Sequence, residues 1–164
     1  MYDEILLPVA PGGEANDAIA HAIGLADRYD ATVHVVSAAD TAADTLAGPR
    51  TGAFSDRLAD AAEKRVEAVT GELEAAGVET VGSVVRGEPL EVIENAIDDG
   101  ADIVVMPSHT RRGIRRLLLG SVTEKVIRVA SVPVVTVPMD ESAAGAEAEN
   151  EEKEDDADDA SRGR

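Results

Sequence analysis

The sequence predicts an α/β fold: a parallel β-sheet with helices packed on both of its faces. Five apolar, β-branched runs alternate with four segments of helical spacing, giving the order βαβαβαβαβ. Strands that follow one another through helices must lie parallel, joined by right-handed crossovers. The runs Ile5-Leu-Leu7 and Ile103-Val-Val105 are apolar without alternation. That is the pattern of strands covered on both faces.

Strands are expected at Glu4–Val9, Thr32–Ser37, Thr80–Val85, Asp102–Met106 and Pro133–Val137. The first helical stripe consists of Ala15, Ala18, Ile19, Ala22, Ile23 and Ala26. Leu58, Ala62, Val66, Val69, Leu73 and Ala76 form the second, with Gly77 placed to end it as a left-handed cap residue. Leu90, Ile93, Ala96 and Ile97 make the third, opened by Gly87-Glu-Pro89 and closed at Gly100. Val122, Val126, Ile127 and Val129 mark the fourth. Between the second strand and second helix, Asp40–Phe54 is polar, small and aperiodic, and is expected to be a mobile loop. Residues 1–139 make one domain, long enough for a substantial core. Residues 140–164 are Ala/Glu/Asp-rich with no large apolar side chain, the composition of a disordered tail.

Composition bounds the chemistry. With one Phe, two Tyr and no Trp, the core must be aliphatic, and with no Cys there is neither a disulfide nor a thiolate metal site. No apolar run approaches a membrane span, and strand-like sequence from Glu4 leaves no room for a secretory signal, so a cytoplasmic protein is expected. The net charge is −18, from 33 acids and 15 bases. Eleven of those acids lie from Asp140 onward, so both domain and tail are acidic. Such a chain repels itself at ordinary ionic strength, whereas in molar salt the Debye length shrinks to about 3 Å. A salt-rich cytoplasm accounts for this charge, and so does an ordinary acidic protein whose charge serves solubility. On either reading general binding to nucleic acid is not expected, because phosphate contacts need a basic face.

The stretch from Pro107 to Glu124 carries the site. It begins where the fourth apolar run ends and is read as the loop into the last helix. In parallel sheets ligands sit beyond the carboxyl ends of strands, where helix N-termini offer free N–H groups. Gly120, Ser121 and Thr123 suit an anion, and Arg111, Arg112, Arg115 and Arg116 add positive charge. A run of Arg on an acidic surface also serves simply to offset neighbouring carboxylates. There is no Gly-Lys-Ser/Thr of a P-loop. His21 reads as a boundary residue of the first helix, His34 as packed or hydrogen-bonded in the second strand, and His109 as a residue of the ligand loop, within reach of a phosphate. None has the companions of a metal site or a nucleophile elbow, so no catalytic centre is expected.

Several of these segments resemble the universal stress protein family: Ile5-Leu-Leu-Pro-Val9, Val85-Arg-Gly-Glu-Pro89 and Gly100-Ala-Asp-Ile-Val-Val-Met106. His109, Arg111–Gly113, Leu117-Leu-Leu-Gly-Ser-Val-Thr-Glu-Lys-Val126 and Val132-Pro-Val-Val-Thr-Val137 are similar to its C-terminal signature. The likeness covers residues 3–138. It implies an open, doubly wound five-stranded sheet of order 3-2-1-4-5, of the adenine nucleotide alpha hydrolase-like kind. It also implies a homodimer through the last strand, Val132 to Val137, and a stress-associated accessory role. Members that bind ATP carry G-x2-G-x9-G-S/T after the fourth strand. Here Gly120-Ser121 is intact, but the first Gly is Pro107 and the second is Thr110. The Asp that contacts the nucleoside in such members is Ala10, and the backbone position beside adenine falls at Ala38.

The resemblance therefore implies a degenerate site for ATP or AMP, with Mg or Mn only alongside ATP. Its residues are Val9, Ala10, Ala38, Met106, Ser108, His109, Thr110, Arg111, Gly120, Ser121, Val122 and Thr123. Proline at 107 has no N–H and a fixed φ, and Thr110 adds a β-branched side chain where ligand would approach. Each unmatched polar partner would cost about 1–3 kcal/mol. Two other readings stand beside nucleotide binding: an interaction module whose surface and acidic tail engage another protein, and a slow nucleotide hydrolase.

The tail has no apolar surface to offset its ordering entropy. A chain ending at Asp140 is expected to keep the melting temperature of the whole protein in molar salt. Scanning calorimetry of the two forms checks this, and a fall of many degrees would show that the tail packs on the domain.

Overall fold

A computed structural model describes residues 1–12, 15–39, 52–110 and 120–140. Five strands, β1 (Glu4–Pro8), β2 (Thr32–Ala39), β3 (Thr80–Arg86), β4 (Ile103–Thr110) and β5 (Val134–Asp140), form one parallel sheet of order β3-β2-β1-β4-β5. Among the described residues four helices alternate with them: α1 (Asn16–Tyr29), α2 (Gly52–Ala75), α3 (Pro89–Asp98) and α4 (Ser121–Val129). This is the doubly wound order that the sequence resemblance implies.

Each face of the sheet has its own aliphatic core. On one, Ile5, Leu7, Val33, Val35, Ile103 and Val105 meet the stripes of α1 and α2, among them Ile19, Ala22, Val69 and Leu73. On the other, Leu6, Val36, Val104 and Met106 meet Val92, Ile93 and Ile97 of α3 and Val126 of α4. Successive strand residues thus enter opposite cores, which is why β1 and β4 read as unbroken apolar runs. The strand starts are tied as well: the Asp102 carboxylate accepts the N–H groups of Asp3 and Glu4 at 2.8 and 2.9 Å. These two bonds hold its carboxyl below the ordinary 3.8.

The helix ends follow the sequence closely. Gly77 has φ of +84°, its N–H reaches the Glu74 carbonyl, and the Val78 N–H reaches the Leu73 carbonyl, a complete Schellman closure of α2. Gly100, at φ +125°, closes α3 the same way onto Ile97, with the Ala101 N–H on Ala96. Pro89 occupies the first turn of α3.

Two expectations are corrected. Gly52-Ala-Phe54, expected in the loop, are the first turn of α2, since adding residues to a formed helix costs little compared with nucleating one. The rest of that loop, 40–51, lies outside the described residues, as do the tail residues 141–164. The second correction concerns Pro107–Thr110, expected to open the ligand loop: they continue β4, paired with β5 from Pro107↔Val137 to Thr110↔Asp140. Proline is tolerated there for a geometric reason. The Val104 N–H points to Pro133 of β5, so by alternation residue 107 faces the β1 side, where the ladder has already ended at Leu6↔Val104. No ladder bond is forfeited.

Gly82 sets how closely α2 approaches β3. A Cβ there would stand 2.7 Å from Val66 Cγ1 and 2.8 Å from Thr70 Cγ2, whereas one at Gly24 in α1 would meet nothing within 4 Å. Gly82→Ala is accordingly expected to destabilise by about 1–3 kcal/mol through overpacking. Gly24→Ala is expected to stabilise by about 0.5–1 kcal/mol, the gain in helix propensity. Urea unfolding of both variants checks the pair of signs.

Candidate functional site

The strand order reverses direction at β1. The chain leaves β1 toward β2 and β3, then crosses back to β4 on the other flank. Helices that start from the carboxyl ends of strands on either side of such a point diverge, leaving a crevice between them. A cleft of about 270 Å³ opens there.

Its floor is the end of β1 and the turn that follows, Pro8 to Pro11, with Val36 and Ala38 of β2. Pro89, Val92 and Ile93 of α3 form one wall, and Met106 and Pro107 of β4 form part of the other. The mouth is closed by Gly120 to Thr123, the first turn of α4. Lys125 of α4 lies 3.5 Å from Glu88, the residue preceding α3, so an ion pair bridges the two helix starts. It is solvent-exposed and worth little in stability.

The donor end of the cleft is the start of α4. Gly120 caps the helix with extended backbone (φ −60°, ψ 154°) and no side-chain cap, and the first helical bond runs from the Glu124 N–H to the Gly120 carbonyl. The N–H groups of Ser121, Val122 and Thr123 therefore have no acceptor within the helix, and the positive end of its dipole faces the same way. Neither the φ of Gly120 nor its surroundings demand glycine. An added Cβ would have Thr123 Oγ1, at 4.0 Å, as its nearest neighbour. The space in front of Gly120 is open toward the cleft, as close approach of a ligand to backbone requires.

The sequence-predicted residues divide into three groups. Val9, Ala10, Ala38, Met106, Gly120, Ser121, Val122 and Thr123 are brought together around the cleft. Ser108 lies two residues beyond Met106 on the same sheet face, wholly buried, with its Oγ lacking a partner, and does not line the cleft. His109 and Thr110 belong to β4 by backbone pairing rather than to a loop. Arg111 and the rest of the Arg cluster lie outside the described residues.

Sequence reasoning missed Pro8, Pro11, Val36, Pro89, Val92 and Ile93. The signal for Pro89 was available: a helix start after a strand falls at the carboxyl edge, where this cleft is.

A larger trough of about 370 Å³ runs along the same sheet face at its other end, past Glu4, His34, Ser83, Asn95 and Asp99. His34 Nε2 hydrogen-bonds the Glu4 carboxylate there, as a packed strand histidine would. Among the described residues no helix begins at that trough, and no three His, Cys, Asp or Glu side chains are placed to hold a metal. His21 is exposed on α1. Nor is any described helix long and apolar enough to cross a membrane.

Comparison with known proteins agrees with this fold. A universal stress protein of Methanocaldococcus jannaschii is 30% identical over 141 residues, covering 84% of this chain and 82% of that protein. A second from that organism has a solved structure at 30% identity and a TM-score of 0.72, covering 87% of this chain and 99% of the other. An Archaeoglobus fulgidus universal stress protein, solved in complex with dAMP, shares the fold at 23% identity and a TM-score of 0.59, over 82% of this chain and 97% of its own. Residues 1–138 match the universal stress protein family as a whole, and the chain belongs to that family.

Proposed function

We propose that this protein is a stress-response accessory protein that binds an adenine nucleotide, ATP or AMP, in the cleft over the β1–β4 switch point. One observation carries the reading: the uncapped N-terminus of α4 opens into a cleft with apolar walls. Its free N–H groups suit a phosphate, while Val36, Val92, Ile93 and Met106 suit the faces of a base. The dAMP complex of the Archaeoglobus fulgidus relative supports the same ligand class. Mg or Mn enters this reading only with ATP.

The protein acts as a cytoplasmic homodimer through β5. That strand is an edge of the sheet, and by alternation from Pro133 the N–H and C=O groups of Val134 and Thr136 face outward. An unpaired apolar edge invites a second strand, and the same strand of another copy satisfies it.

One observation favours a second reading, a nucleotide-independent interaction module. The described lining holds no charged side chain, and Ala10 sits on the floor. The sugar then finds no carboxylate to accept its hydroxyls, and on this reading the surface and acidic tail engage another protein instead.

Calorimetry with ATP and AMP in molar salt distinguishes the two. The combined Gly120→Val and Ser121→Ala substitutions are expected to weaken binding by more than about tenfold, or about 1.4 kcal/mol. Unchanged affinity would place the ligand elsewhere.

Restoring the missing residues tests the origin of any weakness. Ala10→Asp, Pro107→Gly and Thr110→Gly together are expected to raise nucleotide affinity by more than about tenfold. Low-micromolar binding by the natural chain would remove the main support for the interaction module. No binding even by the triple variant would overturn the nucleotide reading.

A further inference from the structure

The sheet has a second edge, β3, that neither the cleft nor a β5 dimer uses. The Val33 N–H bonds the Glu79 carbonyl, so by alternation Thr80, Gly82 and Val84 turn their N–H and C=O groups away from β2. Among the described residues no strand pairs with them. Edge strands are commonly blunted by proline, charge or a bulge. β3 has seven residues paired in unbroken register with β2, no proline, and no charge before Arg86.

Beside this edge runs a groove of about 540 Å³ between α2 and β3. Glu63, Glu67 and Glu74 of α2 line it. All three are exposed, and none has a salt-bridge partner among the described residues. Thr70, between them, is already committed: its hydroxyl donates to the Val66 and Glu67 carbonyls. Its methyl faces Gly82, whose missing Cβ lets α2 lie close enough for its carboxylates to border the edge.

We infer that the β3 edge accepts an extended segment of a basic partner protein by strand addition. Main-chain bonds to Thr80, Gly82 and Val84 supply the docking, and alternate Lys or Arg side chains meet the α2 carboxylates. The eleven steps from Glu63 to Glu74 span about 16 Å of helix, the length of about five strand residues. Three basic residues at every second position fit that span. A second copy of this chain fits poorly, because the two rows of glutamate and two bodies of charge −18 would face each other.

The probe is a synthetic peptide, acetyl-Val-Lys-Val-Lys-Val-Lys-Val-amide, added to the whole protein at 0.15 to 1 M NaCl, with circular dichroism confirming the fold. Amide exchange is read by NMR. Thr80, Gly82 and Val84 are expected to become protected on binding, and affinity is expected to fall as salt rises. The triple variant Glu63→Gln, Glu67→Gln, Glu74→Gln is expected to bind at least about tenfold more weakly, and a peptide with Glu for each Lys is expected not to bind. Adhesion without protection of those three amides would overturn the proposal as diffuse attraction to an acidic surface. Equal binding by the triple variant or by the glutamate peptide would overturn the charge complementarity. Protection that grows with protein concentration in the absence of peptide would identify the occupant as a second copy, against the proposal.

Discussion

The placement of β1 at the centre of the sheet is the constraint on which the rest depends. Ile5, Leu6 and Leu7 are buried to within 1% of full, alternately in the two cores, so both faces of this strand must be covered by helices. Covering both faces with right-handed crossovers forces the chain to wind one way from β1 and then the other. The crevice at the carboxyl end of β1 is a consequence of that reversal, before any residue in it is chosen for chemistry. The two helices that frame it, α3 and α4, belong to one core, which fixes their N-termini relative to each other through Val92, Ile93 and Val126.

On that scaffold the cleft divides its tasks between backbone and side chain. Its donor end consists of three main-chain N–H groups of α4, which no substitution other than proline removes. The remaining lining is apolar and shaped by proline at four points, Pro8, Pro11, Pro89 and Pro107. Such a donor end persists whatever side chains line the rest of the cleft.

The two sheet edges are handled differently. β5 carries Pro138, whose missing N–H falls on the outer side by the same alternation that turns Val134 and Thr136 outward. β3 carries no such device, and the carboxylates of α2 border it. In a chain of charge −18 such a row would repel further copies of itself and favour a partner of opposite sign, the basis of the proposal made for this edge.

Much of this molecule is legible from the residues alone, because the determining signals are local. Strand and helix periods, Pro89 at a helix start, and Gly77 and Gly100 at helix ends each reflect a preference of a few adjacent residues. The two glycines indeed adopt the positive φ their positions required. Gly120-Ser121 was equally legible as a helix start, since a short polar pair before an apolar stripe has few other uses. What only the tertiary structure decided is where separate segments meet. Pro107–Thr110 look like loop by themselves, since proline interrupts strands. They are held as strand because β5 lies alongside and the proline faces a side with no ladder left to break. The burial of Ser108, the proline-lined floor of the cleft, and the row of α2 glutamates beside a bare edge follow from such pairings as well. They depend on contacts between residues far apart in the chain, and no local preference encodes those.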